Sequence, residues 1–143
     1  MNKKIKVSFD FDGSLGDLPK LQKYAKQLVD KGIEVWIVTR RYENIEDYTP
    51  VFCETYGIID LKKQHEYLFI VAERCGITKN HIQYMNMGDK WKFFNKNEGF
   101  LWHIDDDTYE ILDINSFTNT KAILTTDMWK QICNKLIKNY DEN

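Results

Sequence analysis

Short apolar runs and amphipathic helical segments alternate along this chain, and that alternation restricts the fold more than any other feature. "KIKVSFDF" (4–11), "IEVWIVT" (33–39), "HIQYM" (81–85), "FLWHID" (100–105) and "KAILTT" (121–126) read as strands. Each is short, mostly apolar and rich in β-branched or aromatic residues. Between the first two, Leu18, Leu21, Tyr24, Ala25, Leu28 and Val29 recur at helical spacing, and Lys31-Gly32 supplies the stop. A helix is predicted from about Asn44 to Gly57, with Pro50 as an early interruption or first-turn residue, and another from Lys63 to Cys75, ended by Gly76. "DKWKFFNKN" predicts a helical turn or two, and "DDTYEILDIN" a short helix or a loop. In the last segment Trp129, Ile132, Cys133, Leu136, Ile137 and Tyr140 share one helix face, with Thr126 and Asp127 as cap candidates.

Strand–helix alternation of this kind predicts an α/β fold: a Rossmann-like three-layer sandwich around a central, mostly parallel sheet of about five strands. With 143 residues, the chain suits one domain spanning 1–143. Right-handed crossovers then bring the carboxyl ends of all strands to one edge, where ligands of such folds bind.

That edge is where the polar residues fall. The first strand runs into Asp10 and Asp12, the second into Thr39, Arg40 and Arg41, and the fourth into Asp105, Asp106 and Asp107. Lys90 and Lys92 follow the short third strand. Taken singly, each has an ordinary explanation as a turn, a cap or a solvated loop. Together they would crowd several carboxylates. Two such charges 4 Å apart repel by about 1 kcal/mol in water and about 4 kcal/mol at an effective dielectric near 20. A cation or a proton must offset that repulsion. An all-oxygen set favours a hard divalent ion, Mg²⁺ where phosphate is also bound. His65, His81 and His103 lack zinc-like spacing, and His103 reads as a packed or hydrogen-bonded residue.

Composition narrows the partners. A net charge of −2 makes no general case for nucleic-acid binding. No apolar run reaches the length of a membrane span, and the N-terminus lacks the apolar stretch of a signal peptide. Cys53, Cys75 and Cys133 are odd in number, widely spaced and without a CxxC. Reduced, mostly buried thiols and a cytoplasmic location are therefore expected.

In order and placement these motifs resemble those of the haloacid dehalogenase superfamily of phosphohydrolases. The family's first motif, a strand ending in Asp-x-Asp-Gly-Thr/Val, corresponds to "DFDGSL", with Ser14 where threonine is common. Its second, a Thr or Ser ending the next strand, corresponds to Thr39 in "VWIVTRR". Its third, a lysine, corresponds to Lys90 in "GDKWKFF", with Lys92 as the substitute, and its acidic pair to Asp105-Asp106 in "WHIDDD". The likeness runs from Ser8 to about Asp107 and is loosely closest to small nucleotidase-like members.

The resemblance implies a Mg²⁺-dependent phosphatase that hydrolyses a phosphate monoester, a nucleotide or nucleic-acid end among the candidates, through an aspartyl-phosphate. Asp10 would be the nucleophile, ionised as a surface carboxylate is. Asp12 would be the general acid and base, and its backbone carbonyl would touch the metal. Thr39 and Lys90 would hold the phosphoryl oxygens. Gly13 and Ser14 would lie against the substrate, Gly13 allowing close backbone approach. Asp10 and Asp105 would bind Mg²⁺, with Asp106 either a direct ligand or a partner one step out, and Asp107 would cap a helix.

Members of the family usually carry a cap domain, and the short spacing from Gly13 to Pro19 leaves no room for one there. The segment between Thr39 and Lys90 is taken up by core elements. A capless, open site is expected, able to take a large substrate or to be closed by a second copy in a homo-oligomer. Arg40 and Arg41 are candidates for substrate phosphate contacts, or for ion pairs with Glu43 or Glu46. Two rivals stand beside this reading. One is an inactive module that keeps the fold for binding or assembly. The other, a metal nuclease of the topoisomerase-primase type, wants its Asp-x-Asp late in the chain, whereas here it comes first.

Overall fold

The structure is a computed structural model and describes residues 4–141. Five strands, β1 (Lys6–Phe9), β2 (Glu34–Thr39), β3 (Ile82–Tyr84), β4 (Phe100–Asp105) and β5 (Lys121–Leu124), form one sheet in the order β3-β2-β1-β4-β5. Every pairing is parallel. Six helices connect or flank them: α1 (Pro19–Asp30), α2 (Pro50–Thr55), α3 (Leu61–Cys75), α4 (Lys90–Lys96), α5 (Thr108–Phe117) and α6 (Trp129–Asp141). The expected Rossmann-like three-layer sandwich is therefore the fold.

Period-two alternation divides the core. Val7, Phe9, Val35, Ile37, Trp102 and Ile104 face one side, against Leu21, Tyr24 and Leu28 of α1, Leu68, Val71 and Ala72 of α3, and Cys133 of α6. Val38 and Ala122 face the other, against Phe93 and Phe94 of α4 and Ile114 of α5. Val7 and Phe9 are fully buried, and burying such side chains contributes about 1.5–3 kcal/mol each. The β1–β4 register skips Leu101, pairing Lys6 with Phe100 and Val7 with Trp102.

Local chemistry sets most element ends. Pro19 and Pro50 occupy first-turn positions, where a missing N–H loses nothing. The Thr49 hydroxyl accepts from Phe52 N at 3.0 Å, and Asp60 Oδ1 accepts from Lys63 N at 3.0 Å. Gly76 ends α3 in the left-handed region. The predicted helix from Asn44 to Gly57 is corrected: Ile45–Asp47 forms a single 3-10 turn, and α2 begins only at Pro50. Proline fixes a helix start there and disfavours helical backbone in the residue before it. Cys75 and Cys133 are buried and Cys53 partly so, all three as free thiols. Burial pushes the Cys75 thiol up to about 11. No helix among the described residues is long and apolar enough to cross a membrane.

The chain leaves β1 toward β2 on one side and later places β4 on the other. The β1–β4 boundary is thus the topological switch point, the crevice where open α/β sheets hold ligands.

Candidate functional site

Asp10 stands at that crevice. Its N–H donates to Ile104 O of β4 at 2.8 Å, so the last sheet bond anchors it. The backbone then folds into a wide turn closed by i to i+5 bonds: Leu15 N donates to Asp10 O at 3.1 Å and Gly16 N to Phe11 O at 2.8 Å. Gly13 has φ +77°, and a Cβ there would lie 2.1 Å from Asp106 Oδ2. Only glycine satisfies both conditions. Its N–H donates to Asp17 Oδ2 at 2.6 Å. Ser14 is buried, and its hydroxyl donates to Asp10 Oδ2 at 3.0 Å, which orients the carboxylate.

Lys90 opens α4, and its own N–H donates to Glu110 Oε2 of α5 at 3.2 Å. A lysine in a first helical turn opposes the helix dipole, and the compensation is visible. Its Nζ lies 2.7 Å from Asp10 Oδ1 and 2.6 Å from Asp105 Oδ2, with the side chain only 2% exposed. Lys92 is exposed and far from this role, its Nζ 6.0 Å over the Trp91 ring. His103 extends the network inward: Nε2 lies 2.8 Å from Asp105 Oδ2 and Nδ1 2.8 Å from Ser8 Oγ. A carboxylate only accepts, so Nε2 carries the proton and Nδ1 accepts from Ser8. The result is one buried chain of contacts, Ser8–His103–Asp105–Lys90–Asp10–Ser14.

Burial decides several charge states here. It raises the Asp10 carboxyl well above the usual range; the Lys90 charge opposes this, and Asp105 adds to it. Asp10 is thus not the surface-like carboxylate its place at a strand end suggests: it is 5% exposed. Burial also works against ionised Asp105, but the His103 hydrogen bond and the Lys90 charge outweigh it and hold this carboxyl below the usual range. For Lys90, desolvation is outweighed by the two paired carboxylates, and the ammonium is held firmly. Burial lowers the His103 pKa, the Asp105 hydrogen bond opposing only in part, so the ring is neutral at neutral pH.

Oxygens of Asp10, Asp105 and Asp106 lie within 4.8 Å of one another. Three carboxylates thus face one ammonium, a deficit that one divalent cation would offset, and an all-oxygen donor set fits a hard ion. Asp107 does not join them; its Oδ1 accepts from Tyr109 N at 2.9 Å and caps α5.

Asp12 turns the other way. Its carboxylate is 60% exposed and takes the Arg41 fork, Nε at 2.8 Å and Nη2 at 2.6 Å. Arg41 also donates to Gln64 O at 3.1 Å and lies over the Phe11 ring at 4.9 Å. Of the two alternatives for the arginines, the ion pairs with Glu43 or Glu46 do not form: Arg41 pairs with Asp12, and Arg40 donates to Met87 O at 2.8 Å with Nε 3.8 Å from Glu110 Oε1. Thr39 is buried at the end of β2, its hydroxyl accepting from Arg41 N at 3.3 Å. Glu110 and Ser8 were not singled out in the sequence. Asp107-x-x-Glu110 has the spacing of a capping box, a signal for Glu110 that points to its helix and not to Lys90.

Fold and site together define an α/β protein with a carboxylate–lysine centre at the switch point of its sheet. No family model matches the chain, and no curated protein matches it either.

Proposed function

We propose that this protein is a metal-dependent phosphohydrolase acting on a phosphate monoester through an aspartyl-phosphate, as the resemblance to the haloacid dehalogenase superfamily implies. The observation that carries it is the Lys90 ammonium, bonded to both Asp10 and Asp105 at the switch point, with Asp106 in the same oxygen cluster. A Lys–carboxylate pair serving stability alone would not need a third carboxylate beside it.

In this reading Asp10 attacks phosphorus with one carboxylate oxygen while the ester P–O bond breaks, and Asp12 delivers a proton to the departing oxygen. Asp12 then takes a proton from water as that water attacks phosphorus. The bond from phosphorus to Asp10 breaks, and inorganic phosphate leaves. Lys90 and Thr39 stabilise charge on the phosphoryl oxygens, Ser14 orients Asp10, and Arg41 holds Asp12 at the mouth. Asp10, Asp105 and Asp106, with the Asp12 carbonyl, would hold Mg²⁺, which when bound neutralises charge between an anionic nucleophile and an anionic phosphate.

The Arg41–Asp12 fork favours a second reading, an inactive binding or assembly module, because it engages the acid/base carboxylate in an ion pair. A panel of nucleotides, sugar phosphates, phosphopeptides and phosphorylated DNA ends, assayed with Mg²⁺ and with chelator, separates the two. Phosphate release that needs Mg²⁺ and disappears in Asp10→Asn supports the hydrolase. Equal, negligible release from both proteins across the panel supports the module.

A further inference from the structure

The parallel register sets Ser8 of β1 directly beside His103 of β4, and period-two alternation puts His103 and Asp105 on the same face of that strand. His103 is fully buried, with the Phe94 ring 5.0 Å away. Packing there asks only for an apolar side chain, and an imidazole is costly to bury unless its nitrogens are bonded. Both are, one to Ser8 and one to Asp105, each at 2.8 Å.

The consequence falls on Asp105. A carboxylate has about four lone-pair directions, divided equally between its oxygens. Oδ2 takes the Lys90 ammonium at 2.6 Å and the His103 Nε2–H at 2.8 Å, so both of its directions are filled. Oδ1 takes only the Asp107 N–H, at 3.1 Å, and keeps a direction open.

We propose that His103 is a positioning residue that closes Asp105 Oδ2 to a metal ion, so that Asp105 serves as a one-oxygen ligand through Oδ1; the inference rests on the metal-dependent hydrolase reading for the ion itself. The restriction matters between divalent cations of different size. Mg²⁺ is small and demands near-octahedral geometry, whereas Ca²⁺ takes about six to eight oxygens and accepts a carboxylate through both of its own. A carboxylate held to one oxygen therefore favours the smaller ion. Lys90 does not impose this alone, because it fills one direction of Oδ2 and is shared with Asp10.

The test is calorimetric titration of the metal-free protein with Mg²⁺ and with Ca²⁺, in the wild type, His103→Asn and His103→Gln. An asparagine amide ends near the Nδ1 position of the ring and a glutamine amide near the Nε2 position. His103→Asn therefore keeps a partner for Ser8 and loses the donor to Asp105, and His103→Gln does the reverse. Each removes one buried bond from the same network, so a merely structural role predicts the same change in both. The ratio of the Ca²⁺ to the Mg²⁺ dissociation constant should drop about tenfold or more in His103→Asn, the scale on which hydrogen-bonded partners of metal ligands act. In His103→Gln it should stay near the wild-type value. An equal drop in both variants, an unchanged ratio in His103→Asn, or no binding of either ion by the wild type overturns the inference. Should His103→Asn fail to fold, the wild type decides by NMR: the Nε2-bound proton of His103 should stay protected from exchange as Mg²⁺ saturates the protein, and its loss on Mg²⁺ addition overturns the inference. A ratio that collapses only in His103→Asn keeps the positioning role even if no monoester is hydrolysed. Hydrolysis with a ratio indifferent to His103 leaves the hydrolase reading standing and the positioning role overturned.

Discussion

Lys90 and Asp10 are 80 residues apart in the chain and 2.7 Å apart at the head of the sheet, and the same lysine nitrogen stands 2.6 Å from Asp105. One ammonium therefore holds together the carboxyl ends of β1 and β4, the two strands that flank the switch point. Around it three carboxylates, Asp10, Asp105 and Asp106, share one cation.

Removing that cation should be costly. Lys90→Met leaves two buried carboxylates facing each other, and breaking a buried pair in this way costs about 3–5 kcal/mol. Urea denaturation should show that loss in metal-free buffer. Mg²⁺ should restore part of it, because a cation in the cluster replaces the missing charge. A variant as stable as the wild type without metal would contradict the assigned role of Lys90.

Metal binding should depend on pH in a definite direction. Burial lifts the Asp10 carboxyl above its usual range, so at mildly acid pH a cation must displace a proton from it. Apparent Mg²⁺ affinity should fall as pH drops through that raised range, with protons released on binding. Asp105 is held below the usual range and stays ionised throughout, adding nothing to this dependence. Calorimetric titrations in two buffers of different ionisation enthalpy read the released protons directly; a buffer-independent enthalpy would contradict the shift.

Gly13 should tolerate no side chain. Its positive φ disfavours any L-residue, and a Cβ would meet Asp106 Oδ2 at 2.1 Å. Gly13→Ala should destabilise the fold by more than about 1 kcal/mol and weaken Mg²⁺ binding by displacing Asp106, whereas Gly57→Ala, where φ is also positive but a Cβ would meet nothing, should leave metal affinity unchanged. Thermal unfolding and metal titration of both variants check this.

The sheet was legible because β1, β2 and β4 are mostly buried apolar runs and Gly32 and Gly99 stand just ahead of β2 and β4. The strand ends were legible for the same reason: Asp10, Thr39 and Asp105 follow directly from where the apolar runs stop. Charge state and pairing were not. Nothing in "DFDGSL" shows that Asp10 turns into the protein while Asp12 turns out to Arg41, because that divergence is set by the turn at Gly13 and by partners 29 and 80 residues away. Ser8 reads as a strand residue until His103, 95 residues on, is seen against it. Pro50 falls in the first turn of α2, one of the two places its sequence allows, but no helix forms ahead of it: Ile45–Asp47 is a single 3-10 turn, and Tyr48 packs on Phe52 from outside α2.

In the proposed reaction Asp10 becomes phosphorylated once per turnover. Acid quenching during turnover of a hydrolysed monoester, followed by peptide mass analysis, should find one phosphoryl group on the peptide carrying Asp10, absent from Asp10→Asn. Turnover by the wild type with no such adduct, or turnover retained in Asp10→Asn, would contradict the account.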